Sequence, residues 1–156
     1  MGIEIERKFL VKDETWNSEV EKEIHIKQGY LNSNKERTVR VRIKGKRGFL
    51  TVKGKNTNAT RKEFEYEIPL SDAEEMLLLC EKPIIEKIRS EVVYENKRWE
   101  IDVFSGENQG LIIAEIELST ESEQFEIPQW LGQEVTQDTR YYNSNLINHP
   151  FLKWEQ

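Results

Sequence analysis

The chain has 156 residues, a length that suits a single domain spanning 1–156 with a substantial core and is short for two. Charged residues make up 33% and apolar residues 37%, and Trp, Tyr, Phe, Ile and Val are all well represented, so the composition excludes a disordered chain. The formal charge of −6 argues against a surface that is basic overall, Cys80 is the only cysteine, and neither a signal peptide nor a bilayer-spanning apolar run is present; the expectation is a cytoplasmic protein with no nucleic-acid or membrane partner, compatible with a homodimer.

Residues 2–11 alternate with the period of a half-buried strand: Glu4, Glu6 and Lys8 share one face while Ile3, Ile5 and Phe9 share the other. A short helix is expected after Asp13. Alternation returns at 23–31, 37–45, 48–54 and 62–69, and again at 84–95, 97–105 and 111–119, which makes eight strands. Lys46-Arg47-Gly48 and Glu95-Asn96-Lys97 read as tight connections, so neighbouring strands are expected to run antiparallel, while 55–60, with Asn56 and Asn58, reads as a mobile loop. Between the two groups of strands, Ser71 stands at an N-cap position before an acidic turn, predicting a helix over 72–81 that ends before Pro83 and packs Leu77 and Cys80 on the sheet. A last short helix is expected within 140–147. The fold class is α+β, mainly β.

Sorting each strand by parity separates two faces. Val39, Val41, Ile43, Phe64, Tyr66, Trp99, Ile101, Ile112, Ala114 and Ile116 form an ordinary packing face. Opposite them fall Arg40, Arg42 and Lys44, then Lys53, then Glu63, Glu65 and Glu67, then Lys87 and Arg89, then Glu100 and Asp102, then Glu115 and Glu117. The bland interpretation is the solvated side of a one-sided sheet. Segregation by sign counts against it, because solvated faces intersperse charges to avoid repulsion between neighbouring positions. Single-signed strands become favourable when they surround cations for the carboxylates and a polyanion for the Lys and Arg groups. Eight strands can close into a barrel whose lumen holds such a ligand, with helices such as 72–81 covering the apolar exterior. A carboxylate set without thiols, and with only His25 and His149 as scattered imidazoles, suits a hard cation such as Mg2+ or Mn2+. Phosphate is the natural polyanion for guanidinium groups, and no GxxxxGK[ST] loop is present to cradle it.

Glu4-x-Glu6-x-Lys8 resembles the ExExK signature of the CYTH superfamily, the triphosphate tunnel metalloenzymes. The resemblance continues in order through Gln28-Gly29-Tyr30-Leu31, Val39-Arg40-Val41-Arg42, Leu50-Thr51-Val52-Lys53-Gly54, Glu63-Phe64-Glu65-Tyr66-Glu67, Lys87-Ile88-Arg89, Glu100-Ile101-Asp102 and Ala114-Glu115-Ile116-Glu117. It implies an eight-stranded antiparallel closed β-barrel that binds a triphosphate or polyphosphate with Mg2+ or Mn2+. Position by position it implies metal ligation by Glu4, Glu6, Asp102, Glu115 and Glu117, and a phosphate clamp of Lys8, Arg40, Arg42, Lys53, Lys87 and Arg89. Glu63 and Glu65 are expected beside the substrate, whether as ligands, as water-orienting groups or as supports for the arginines. Glu4, Glu6, Lys8 and Lys87 are the candidate catalytic residues. Tyr30 is an activating partner for a lysine by analogy alone, since the parity of Ile24, Ile26, Gln28 and Tyr30 conflicts with a polar inward face. The activity implied first is hydrolysis of inorganic tripolyphosphate. Thiamine or nucleoside triphosphatase, class IV adenylyl cyclase and a non-catalytic polyphosphate-binding module stay open.

Overall fold

The computed structural model describes residues 2–154. Eight strands follow in the expected order: β1 (Gly2–Val11), β2 (Val20–Asn32), β3 (Arg37–Lys44), β4 (Arg47–Gly54), β5 (Thr60–Ile68), β6 (Ile85–Tyr94), β7 (Lys97–Phe104) and β8 (Ile112–Glu117). Hydrogen bonding runs β5-β4-β3-β2-β6-β7-β8-β1, and pairing of β1 with β5 closes the ring, every pair antiparallel. Closure gives every strand of the ring a neighbour on both sides. A ninth strand that the alternation does not predict, β9 (Leu131–Glu134), pairs with Phe9–Val11 at the end of β1, on the edge opposite β8 and past the pairing with β5. Four residues without clear alternation give no periodic signal, so only the free edge of β1 identifies this strand.

Two hairpins show how local chemistry sets the register. The Glu95-Asn96 turn carries both residues at positive φ, 48° and 65°, and brings Tyr94 opposite Lys97. Between β3 and β4 the turn falls on Gly45-Lys46, one residue earlier than expected, because Gly45 supplies the positive φ of 62°. Gly48 therefore belongs to the strand, where a Cβ would stand 2.7 Å from the Cβ of Ala73. Its missing side chain lets the helix α1 (Leu70–Leu79) lie close against the barrel. That helix begins two residues before the expected start: Pro69 occupies the N-cap with φ −56°, and Ser71 sits within the first turn without capping it. Within the 55–60 connection, Thr57 and Thr60 exchange reciprocal backbone bonds of 2.8 and 3.0 Å.

The apolar exterior is covered in two places. Ala73, Leu77 and Cys80 pack on Val41 and its neighbours on β3 and β4. Around β1, β7 and β8, Trp16 from a 3-10 turn (Thr15–Glu19), Trp130 and Phe125 enclose Phe9, Trp99 and Ile116, with Trp99 edge-on to Phe9, Phe125 and Trp130 at 5.7, 5.6 and 5.5 Å. A third cluster lies differently. Tyr30, Ile85, Phe104 and Ile113 occupy the lumen-facing parity of their strands, and they meet Tyr141, Leu146 and Ile147 of the C-terminal segment. This segment contains the one-turn helix α2 (Asn143–Leu146) within the expected 140–147. One end of the lumen is thus filled by an apolar stopper, and the charged chamber lies between the stopper and the opposite mouth.

Candidate active site

The chamber has a volume of about 180 Å3 and is walled by eight cationic and seven carboxylate side chains, with Tyr30 its one aromatic lining residue among those described. Near-balance of sign means that the walls neutralise one another, and a ligand must engage both kinds to enter favourably. Of the residues singled out from the sequence, Glu4, Glu6, Lys8, Arg40, Arg42, Lys53, Glu63, Glu65, Lys87, Arg89, Glu115 and Glu117 all line this space. Strand parity brings them there, because each strand of the ring turns alternate side chains into the lumen.

The β1 signature meets β8 face to face, Glu6 opposite Glu117 and Lys8 opposite Glu115. Lys8 Nζ donates to Glu6 at 3.0 Å and to the Glu115 carboxylate. Burial opposes its charge, and Glu115 and Glu6 together outweigh burial and raise its pKa. Lys53 Nζ donates to both oxygens of Glu4 at 3.0 and 3.2 Å. Burial alone would raise the Glu4 carboxyl; Lys53 and Arg61 overcome it and hold the group at about 2. Arg61 escapes a strand that is taken to begin at 62, whereas β5 begins at Thr60 and carries Arg61 on the parity of Glu63.

Towards the stopper the balance turns positive. Arg42 Nε donates to Gln28 at 2.8 Å, and among the described residues no carboxylate pairs with its guanidinium. Burial, with Arg40 and Arg89 nearby, pushes its pKa down to about 9. Arg40 donates through Nη2 to Thr51 at 3.2 Å and Glu65 at 3.3 Å, while its Nε is buried with no hydrogen-bond partner. Lys87 is 2% exposed, and burial drives its pKa down to about 7 against the pull of Asp102, with Arg89 and Arg42 adding repulsion. These are cations held in place and only partly compensated by Glu65 and Asp102, an arrangement suited to an anionic ligand.

Asp102 is placed differently from the other expected metal ligands. It is 1% exposed and does not line the chamber; its carboxylate accepts Arg89 Nε at 2.8 Å, Arg89 Nη2 at 2.9 Å and Lys87 at 2.7 Å. Tyr30 lines the chamber with no bulge between it and Gln28, since the parity conflict resolves by apolar Ile24 and Ile26 also facing inward. Arg140 is exposed and paired with Asp138 at 2.8 Å. Asn143 and Ser144 reach the chamber instead, from a segment whose approach no local pattern announces.

At the mouth the carboxylates repel one another. Burial raises Glu117, Glu63 and Glu100 above the ordinary range, and the negative charges of Glu4 and Glu6 add to the effect on Glu117, that of Glu4 on Glu63, and those of Glu115 and Asp102 on Glu100. Among the described residues no three such groups already converge as a ready-made coordination shell. The donor set still fits a hard divalent cation: it is all oxygen, carries excess negative charge at one mouth, and leaves Glu117 without an ion pair among the described residues.

A CYTH domain model matches residues 2–148, most of the chain. The chain belongs to the CYTH domain family. This CYTH domain is 48% identical, over the full length of both chains, to an inorganic triphosphatase of Acetivibrio thermocellus. An inorganic triphosphatase of Nitrosomonas europaea is 34% identical over 92% of this chain and 95% of its own. The crystal structure of an inorganic triphosphatase superposes with a TM-score of 0.68 at 32% identity, covering 92% of this CYTH domain and 93% of that chain.

Proposed function

We propose that this CYTH domain hydrolyses inorganic tripolyphosphate to pyrophosphate and phosphate with the help of a divalent cation. The observation that carries this reading is the chamber's division: buried, under-compensated Arg40, Arg42 and Lys87 towards the closed end, mutually repelling carboxylates at the mouth. Full-length similarity to two inorganic triphosphatases supports it. Lys8, Arg40, Arg42, Lys53, Lys87 and Arg89 bind the phosphoryl oxygens, and neither Nη group of Arg42 has a partner among the described residues, which leaves both for a bidentate contact. Glu65 and Thr51 hold Arg40, and Asp102 holds Lys87 and Arg89 from behind the chamber wall. Mg2+ or Mn2+, held by Glu4, Glu6, Glu115 and Glu117, would supply neutralisation of the phosphoryl charge.

Clamped from several sides, the terminal phosphoryl group is presented for in-line attack by water. The water oxygen forms the new bond to the terminal phosphorus, the bridging P–O bond breaks, and pyrophosphate leaves towards the cationic wall. Carboxylates of raised basicity at the mouth, Glu63 among them, are placed to orient the attacking water. Tyr30 is the one aromatic side chain on the described walls, and it is buried in the stopper, so the chamber offers little to stack on a nucleobase. Phosphate release measured with tripolyphosphate, thiamine triphosphate, ATP and longer polyphosphate, each with Mg2+, Mn2+ or EDTA, tests the reading. The highest kcat/KM is expected on tripolyphosphate, with no turnover in EDTA. Cyclic AMP and pyrophosphate as the main products from ATP, with tripolyphosphate acting only as an inhibitor, would reverse it.

A further inference from the structure

Asn143, the first residue of α2, reaches the chamber while Leu146 and Ile147 behind it are sealed in the stopper. Its Oδ1 accepts two hydrogen bonds, from Lys87 Nζ at 2.9 Å and from Gln28 Nε2 at 2.8 Å. Gln28 is fully buried, and its own Oε1 accepts Arg42 Nε at 2.8 Å. One carbonyl oxygen on the C-terminal segment therefore fixes a cation on β6 directly and a cation on β3 through a single intermediary.

The acceptors of this relay are neutral amides, although Lys87 also rests on the Asp102 carboxylate. Lys53 and Lys8 rest on the carboxylates of Glu4, Glu6 and Glu115. Each such pairing orients the ammonium but also cancels much of its charge. An amide oxygen orients a donor and carries no net charge of its own. With Nε fixed by Gln28, the Arg42 guanidinium keeps both Nη groups for a bidentate contact. With one N–H on Asp102 and one on Asn143, Lys87 has its third directed by elimination.

We propose that Asn143 is a positioning residue for the anion site: its neutral oxygen aims Lys87 directly and Arg42 through Gln28 without adding a counter-charge that would compete with the phosphoryl oxygens. The identity of the anion rests on the triphosphatase reading; the relay itself does not. A residue that merely anchors the C-terminal segment would need the oxygen only for stability, and replacing it by a carboxylate would then be harmless.

Asn143→Leu removes the acceptor at nearly constant volume, and Asn143→Asp keeps both acceptor contacts while placing a negative charge between the two cations. Both are assayed on tripolyphosphate with Mg2+ beside Asn145→Ala, a control elsewhere on α2. Both variants at position 143 are expected to raise KM about tenfold, the loss of roughly one charge-assisted contact, with kcat close to wild type; Tm stays close to wild type in Asn143→Asp and falls in Asn143→Leu, which leaves Gln28 Nε2 without its acceptor. If Asn143→Leu fails to fold, Asn143→Asp carries the test. A wild-type KM in a folded Asn143→Asp protein overturns the proposal. The side-chain ammonium resonance of Lys87, assigned by its loss in Lys87→Met, gives a readout independent of turnover. It should shift or broaden in Asn143→Leu or Asn143→Asp and not in Asn145→Ala; an unmoved resonance overturns the relay. Wild-type protein that neither binds nor hydrolyses tripolyphosphate would refute the functional reading instead, and the resonance would still decide whether the relay exists.

Discussion

Replacing Asp102 by Asn separates two roles for this carboxylate. In the structure it lies behind the chamber wall, 1% exposed, as the shared counter-charge of Lys87 and Arg89. Removing one partner of a buried ion pair and leaving the other uncompensated costs about 3–5 kcal/mol. Asn keeps the shape and one acceptor oxygen, and Lys87, already pushed down to about 7, can shed its proton at neutral pH once Asp102 no longer attracts it. Both effects place the loss near the lower end, about 3 kcal/mol, which for a domain of this size lowers Tm by roughly 6–12 °C. The assay is thermal unfolding in EDTA, so that no metal contributes. Deprotonation of Lys87 also removes a clamp charge, and kcat/KM for tripolyphosphate should fall with it. Were Asp102 a metal ligand instead, its replacement would relieve repulsion without metal and damage only activation by Mg2+ or Mn2+. An Asp102→Asn protein whose Tm in EDTA stays within about 2 °C of wild type would refute the supporting role of this carboxylate.

The mouth carboxylates predict a pH dependence of the metal-free protein. Glu63, Glu100 and Glu117 have folded-state pKa values above the unfolded value of 4.5, so from pH 4.5 upward the folded state retains protons that the unfolded state has released, and Tm in EDTA should fall as pH rises through that window. Millimolar Mg2+ should flatten the slope, and a slope unchanged by Mg2+ would argue against a cation at this mouth. Arg40→Ala should weaken tripolyphosphate binding by roughly 1.5–3 kcal/mol, about 10- to 150-fold in Kd by calorimetry, while leaving the unliganded fold intact, because the substitution removes a buried Nε without a partner and only the long Nη2 contacts to Thr51 and Glu65 at 3.2 and 3.3 Å. Unchanged affinity in a folded variant would remove Arg40 from the clamp.

Much of this architecture is legible because strands write their two faces into alternate positions. Glu4-Glu6-Lys8, Arg40-Arg42, Glu63-Glu65, Lys87-Arg89 and Glu115-Glu117 each follow the two-residue period, so a correct strand assignment places their side chains on one side of the sheet together. Errors arise at element ends. A strand started one residue late hides Arg61, and the hairpin turn moves to Gly45, freeing Gly48 for its contact with α1. Ile24 and Ile26 mislead through hydropathy, because buried inward positions are expected to be polar throughout.

Alternation alone identifies the eight strands of the ring, their inward and outward faces and the signs of the inward charges, since it is a local property of extended backbone. Tertiary structure decided what each charge answers to. Asp102 and Glu115 share the same local alternation, yet one is enclosed by Lys87 and Arg89 while the other lines the chamber opposite Lys8. Asn143 enters from more than fifty residues beyond its partner Lys87, and β9 forms where β1 extends past its pairing with β5. Such contacts depend on closure of the barrel and on where the C-terminal segment returns, and a long-range approach of that kind leaves no period in the chain.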